Sequence, residues 1–219
     1  MKTKSETLFE NLCAGQGFGC SKIEESLNKT PDYLVRIGSL EFIAEVKQID
    51  PSNEQKKLLA ESERKHFIFV KATPGETVRS KIKSGAAQIS KLAKGKMPGM
   101  LILYNNLPFA LGDPFGPYNV RVGMFGFDTI VLTRPQDFSP PIVLDRKFGT
   151  KRKVTKEHNT SISALAVINK KEPNQLDIYH NPHAAIPFER GLFKKFGNKE
   201  YELEEKQPMR FQEWKEVVS

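Results

Sequence analysis

The order of apolar and polar positions divides the chain into alternating helical and extended stretches. Over residues 3–14, Leu8, Phe9, Leu12 and Cys13 recur at helical spacing and define one face, and Thr3 with Glu6 three positions on reads as a capping-box start. Gly15, Gly17 and Gly19 follow in AGQGFGC, which lacks the spacing and the lysine of a phosphate-binding loop and so reads as a connection. Residues 21–28 predict a short helical turn or an edge strand. Residues 32–37 (DYLVRI) and 40–49 (LEFIAEVKQI) are rich in β-branched and aromatic side chains and are separated by Gly38-Ser39, which predicts a hairpin. Residues 51–66 are highly charged and predict a solvated helix or an excursion. Residues 66–70 (HFIFV) predict a short strand or a hydrophobic anchor.

The second apolar rhythm is longer. Over residues 74–94, Val78, Ile82, Ala86, Ile89 and Ala93 form a helical packing face. Pro74 suits the first turn and Glu76 the positive end of the dipole, and Arg79, Lys81, Lys83, Lys91 and Lys94 are expected outside. Residues 99–105 (GMLILYN) are continuously apolar and predict a central buried strand with a parallel neighbour, as in a β-α-β unit. Residues 106–119 predict a loop, 120–132 a further strand-like region in which Asp128 is structural, and 133–160 a Pro-rich and then basic surface segment. Residues 161–169 and 176–180 predict a hairpin turning at Glu172-Pro173-Asn174. Residues 181–187 predict a loop against the core, and 209–218 a short amphipathic helix with Phe211, Trp214 and Val218 inward.

Composition narrows the class. The 219 residues suffice for one domain, and 38% hydrophobic with 27% charged residues is ordinary for a soluble globular protein. No stretch has the length of a membrane span, and the first residues carry acids and no apolar run, so a cytoplasmic protein without a secretory signal is expected. Two cysteines, Cys13 and Cys20, give no disulfide framework and suit buried thiols in a reducing compartment. Lys and Arg outnumber Asp and Glu by 34 to 26, a net charge of +8, which suits a polyanionic partner.

The candidate chemistry lies in the hairpin over residues 30–50. Side chains alternate along a strand, so Ile43, Glu45 and Lys47 share one face while Phe42, Ala44 and Val46 share the other. Asp32 follows Pro31 where the first strand begins, and hairpin pairing brings it near Glu45. Two carboxylates beside a lysine can hold a divalent cation and orient a water on a phosphate. His180 and His183, three apart with Pro182 between them, do not converge on a metal and are read as structural.

These residues resemble the signature of the PD-(D/E)xK nuclease superfamily. Pro31-Asp32 matches its PD element and Glu45-Val46-Lys47 its (D/E)xK element, with a hydrophobic residue in the middle. The resemblance covers roughly the first half of the chain. It implies an α/β fold, a mixed central β-sheet flanked by helices around a restriction-endonuclease-like core. The whole chain, 1–219, is then one domain, with 1–105 carrying the motif and 106–219 extending the sheet and building the substrate surface.

It further implies a Mg²⁺-dependent DNA endonuclease, with Mn²⁺ expected to substitute and DNA preferred to RNA as partner. Asp32, Glu45 and the Val46 carbonyl would ligate the metal, and Lys47 would position water and stabilise the phosphate charge. The first helix in that superfamily often adds an acid, which points to Glu6, with Glu10 as the alternative. Glu6 would hold a second cation or orient a water. Gln88 is a candidate for phosphate or water positioning, and Lys81, Lys91, Lys151, Arg152 and Lys153 are candidates for nucleic-acid backbone contacts. A homodimer is left open. Two rivals stand beside this reading: a non-catalytic nucleic-acid-binding protein on the same fold, and an unrelated α/β interaction protein in which Glu45 and Lys47 form a surface ion pair.

Overall fold

A computed structural model describes residues 2–24, 30–65, 71–93, 95–134, 139–207 and 210–218. Helix α1 (Lys4–Gly15) leads into strand β1 (Gly19–Lys22), the hairpin β2 (Tyr33–Ile37) and β3 (Leu40–Ile49), helices α2 (Asn53–Lys65) and α3 (Glu76–Ala93), and strand β4 (Gly99–Asn105). Then come α4 (Pro117–Phe125), β5 (Asp128–Leu132), β6 (Val143–Phe148), β7 (Ala164–Ile168), β8 (Leu176–His180), β9 (Lys199–Leu203) and β10 (Trp214–Glu216). The protein is α/β. A mixed sheet of 8 strands runs in the order β1-β2-β3-β4-β7-β8-β9-β10, and β5–β6 form a separate ribbon. β3, β4 and β7 are mutually parallel, and the flanking pairs β1–β2, β2–β3, β7–β8 and β9–β10 are antiparallel.

Each face of the sheet is covered. Phe9, Leu12 and Cys13 of α1 pack with Val35, Phe42, Ala44, Val46 and Ile102 on one face. Val78, Ile82, Ala86 and Ile89 of α3 and Val120 and Met124 of α4 pack with Ile43, Leu101, Leu103 and Leu165 on the other. Each Val, Leu, Ile, Phe or Met among them contributes roughly 1.5–3 kcal/mol through burial, which is what clamps the helices to the sheet. All of β4 is buried, as a strand with a helical layer on each face must be. Cys13 is buried and Cys20 half-buried, both as free thiols. No helix among the described residues is long and apolar enough to cross a membrane.

The hairpin, α1 with its Thr3–Glu6 capping box, α3 with its packing face, β4 and the β7–β8 hairpin lie where their patterns predict. Residues 53–65 are helical. Several expectations are corrected. Residues 117–125 are helix, where loop was expected up to 119, and the strand expected within 120–132 is Asp128–Leu132. β6 replaces part of the expected loop over 133–160. Residues 210–218 do not form the expected C-terminal helix: Trp214–Glu216 pairs with β9, and Val218 is exposed. α3 begins after Gly75, whose φ of +69° breaks the helix behind Pro74. Arg79, expected outside, is buried, because Glu76 and the carbonyls of Pro74 and Val122 satisfy its guanidinium. Asp128 is structural as expected, gripping the buried Arg121 through both carboxylate oxygens at 2.8 and 2.9 Å. Residues 66–70 and Lys94 lie outside the described residues.

Candidate active site

The hairpin turns at Gly38, whose φ of +58° suits glycine, and its register pairs Tyr33 with Ala44. Continuing that register sets Asp32 opposite Glu45, at the point where β2 has ended and β3 runs on to Ile49. Beyond the end of β2, the Val46 amide has no strand partner on that side. It donates instead to Asp32 Oδ2 at 2.8 Å. The N–H and C=O of one residue point to the same side of a strand, so the Val46 carbonyl is also turned toward Asp32.

Glu45 projects from the opposite face of β3 into the layer beneath α3. It is fully buried, and neither carboxylate oxygen has a hydrogen-bond partner among the described residues. Lys47 Nζ forms an ion pair with Oε1, out of line for a hydrogen bond. Burial pushes the Glu45 carboxyl up to about 7, with the nearby Asp32 charge adding to it and the Lys47 ammonium opposing it. The approach of α3 is what buries it. Gly85 lies over the strand so closely that a Cβ there would come within 2.6 Å of Leu101 Cδ1 and 3.5 Å of Glu45 Cγ.

Lys47 is held from the helix. Its Nζ donates to Gln88 Oε1 at 3.0 Å, and Gln88 Nε2 donates to the Thr30 carbonyl at 2.9 Å, tying α3 to the segment that carries Asp32. One turn or more earlier, Lys81 Nζ donates to the Gln48 carbonyl at 2.8 Å. Burial lowers its pKa, and the neighbouring Lys47 charge lowers it further. Lys47 and Lys81 thus form a compact cationic pair between α3 and the end of β3.

Glu6 enters from the other face. Its backbone and side chain complete the capping box with Thr3, at 3.2 and 2.6 Å, and Oε1 accepts from Lys22 Nζ at 2.7 Å. Burial alone would raise its pKa, but these bonds outweigh that and hold it near 2. Glu6, Lys22, Asp32, Val46 and Gln48 line a cavity of about 320 Å³. Glu10 is engaged elsewhere, by Lys2 and by Tyr33 Oη at 2.8 Å. Asp32 is the link between the two faces. It lines the Glu6 cavity, and it lies within electrostatic reach of Lys47 and Glu6, with burial the main cause of its own raised pKa.

The structure therefore brings together Glu6, Asp32, Val46, Glu45, Lys47, Gln88 and Lys81, with Asp32 central and Glu6 reaching Glu45 only through it. It does not bring in the remaining basic candidates. Lys91 is exposed near the far end of α3. Lys153 meets α3 on the side of Lys83, two residues and so about half a turn from Lys81. Arg152 is turned back onto the carbonyls of Gly149 and Phe148, and Lys151 sits over the Phe127 ring. Lys22 and Gln48 are site residues without a sequence signal of their own, since one comes from a short edge strand and the other follows the motif. His180 is buried against Glu200 at 2.7 Å, a structural pair.

No group of three or more His, Cys, Asp and Glu side chains among the described residues is arranged to hold a metal ion. The smaller set of two carboxylates and one carbonyl fits a divalent cation on a separate ground. A buried carboxylate whose pKa is raised although Lys47 is ion-paired to one oxygen, and whose oxygens make no hydrogen bond among the described residues, has room for a further positive charge. Comparison with family models, with curated proteins and with solved structures gives no match.

Proposed function

We propose that the protein is a metal-dependent nuclease with a restriction-endonuclease-like core, hydrolysing phosphodiester bonds in DNA, in the reducing cytoplasm that its two free thiols suit. The observation that carries this reading is Glu45: a fully buried carboxylate with no hydrogen-bond partner among the described residues, ion-paired to Lys47 and next to Asp32. A carboxylate so placed costs stability unless something charged completes it, and proteins keep such costs at functional sites.

Asp32, Glu45 and the Val46 carbonyl would hold a divalent cation, Mg²⁺ or Mn²⁺, which supplies Lewis-acid polarisation of the phosphate and lowers the pKa of water. The chain's own groups do the rest. Lys47, fixed by Gln88, places a positive charge where negative charge grows on the phosphate. Lys81 adds a second cation beside it. Glu6, ionised at any physiological pH, orients Lys22 at the mouth of the cavity that Asp32 shares. The net charge of +8 favours encounter with a polyanion.

The test is cleavage of single-stranded, duplex and branched DNA by the purified protein with Mg²⁺, with Mn²⁺ and with EDTA, beside Glu45→Ala and Lys47→Ala. Metal-dependent cutting lost in both variants is the expected result. Tight, salt-sensitive binding without cutting would replace this reading with a binding protein on the same fold.

A further inference from the structure

The sheet carries one row of side chains that leads away from Lys47. In the strand registers Lys47 pairs with Leu103, Leu103 with Val167, and Val167 with Asp177. Leu103 and Val167 belong to the core under α3 and α4, so the row lies on the face that bears Glu45 and Lys47. Three strand spacings separate Lys47 from Asp177, about 14 Å.

At the far end of the row is a cavity of about 520 Å³ with a mostly apolar lining. It opens past the carboxyl ends of β4 and β7, the position at which open α/β sheets receive ligands. Its wall includes the rings of Phe115 and Tyr179, both buried, and its rim carries Phe109, which is 98% exposed. An aromatic ring exposed beside a cavity offers a face on which a flat ligand can stack. Asp177 lines the same cavity. It is half-buried, and its carboxylate makes no hydrogen bond or ion pair among the described residues. Burial raises its pKa, with the Lys199 charge opposing this and the Glu172, Asp113 and Glu216 charges adding to it.

The cavity is not isolated. Gly112 and Asp113 are shared with a second cavity of about 440 Å³, which reaches Ile49, two residues past Lys47 on β3, and is flanked by Lys71. The two cavities adjoin at Gly112 and Asp113 and follow the carboxyl edge of the sheet from Ile49, next to the candidate active site, to Asp177, with Glu76 and Asp113 as acids along the way. Lys71 on one side and Lys170 and Lys171 on the other give this groove cations at both ends.

We propose that this groove carries a single strand of nucleic acid and that the cavity at its end takes one unpaired base, stacked on Phe109 with an amino group donated to Asp177. The proposal rests on the nuclease reading, because only a strand held at Lys47 defines what enters the groove. The chemistry selects the occupant. An apolar slot with an aromatic rim admits any base, a carboxylate rejects phosphate, and a carboxylate accepts from the exocyclic N4 amine of cytosine, where thymine carries the O4 acceptor instead. A paired base has that edge covered, so the cavity favours single strands, bulges or frayed ends.

The experiment is equilibrium binding in EDTA of three short fluorescent single strands of equal length: oligodeoxycytidine, oligothymidine and an abasic strand with the same phosphates. Wild-type protein should bind cytosine best and the abasic strand least. Phe109→Ala, at a position whose side chain packs on nothing, should weaken both base-bearing strands roughly 5- to 100-fold and leave the abasic strand unchanged. Asp177→Asn should erase the preference for cytosine over thymine. Equal loss on all strands in Phe109→Ala, or none, overturns the base pocket, and an Asp177→Asn variant that keeps the cytosine preference overturns the donor contact. The same wild-type preparation, assayed with Mg²⁺, separates the two levels. Cleavage without any base dependence of binding sinks the pocket alone, whereas neither binding nor cleavage of any strand sinks the nuclease reading with it.

Discussion

The Val46 amide donates to Asp32 Oδ2 across 2.8 Å, so one carboxylate both closes the open end of the hairpin and stands opposite Glu45. The structural and chemical duties of Asp32 are separable by substitution. Asn retains an oxygen for the Val46 amide and loses the charge. Asp32→Asn should therefore unfold within about 1 kcal/mol of wild type, whereas Asp32→Ala should lose a further ~1–3 kcal/mol from the missing charged-group hydrogen bond. Both should lose metal-dependent cleavage by at least about 100-fold, roughly 2.7 kcal/mol of transition-state stabilisation. Urea denaturation and single-turnover cleavage, run side by side, check the split.

Glu45 gives the protein a pH signature. Its carboxyl titrates near 7 in the fold against an ordinary 4.5, so between those values the folded chain keeps a proton that the unfolded chain has released. Stability then falls as pH rises from about 4.5 to 7, by up to about 3 kcal/mol from this group, and is flat above. Glu45→Gln should remove that slope, leaving the variant more stable than wild type at pH 8 in EDTA and close to it at pH 4.5. Denaturant midpoints across the range measure the difference. Added Mg²⁺ should restore wild-type stability above pH 7 and do little for the variant.

Gln88 tests positioning apart from chemistry. Gln88→Ala removes both the acceptor that steadies Lys47 and the donor to Thr30. It should lower kcat about 10-fold with little change in KM, because the charge on Lys47 remains and only its placement suffers. A change confined to KM would show that Gln88 instead holds substrate.

Glu6 requires a careful substitution. It closes the α1 capping box and holds Lys22, so Glu6→Ala should cost about 1–2 kcal/mol in stability. Glu6→Gln can keep the box, since Gln serves at that position, and any activity it loses then belongs to the site. Because the folded pKa is near 2, Glu6 also contributes stability that is present above pH 4.5 and lost as pH falls toward 2. An acid-unfolding midpoint shifted to higher pH in both variants would show this.

Much of this arrangement was legible in the chain, and the gaps have physical causes. Local alternation suffices to set Glu45 and Lys47 on one face and Val46 on the other, and 3.6-residue spacing suffices for the inner face of α3. α4 was obscured because it is buried on most sides, so Val120, Val122, Met124 and Phe125 show no polar stripe, although Pro117 and Gly126 mark its ends. β10 looks helical in sequence because Phe211, Trp214 and Val218 fall at helical spacing, while its extended form depends on β9, a partner no local pattern reveals. The charge of Arg79 favours water in the sequence, and the carbonyls of Pro74 and Val122 with the Glu76 carboxylate, brought together by the folded chain, make its burial tolerable. At the site, the signature residues stood out while Lys22 and Gln48 did not, since each owes its place to strand ends meeting in space.

The position of β4 has one more consequence. It lies between β3, which carries the candidate chemistry, and β7, which comes from the second half of the chain, and every one of its residues is buried. A fragment ending at residue 105 would hold Glu6, Asp32, Glu45, Lys47 and Gln88, yet it would turn this inner strand into a bare apolar edge, ready to pair with any other chain. The motif-bearing half is thus no portable cassette: transplanting it into another protein would require a donor for the missing strand.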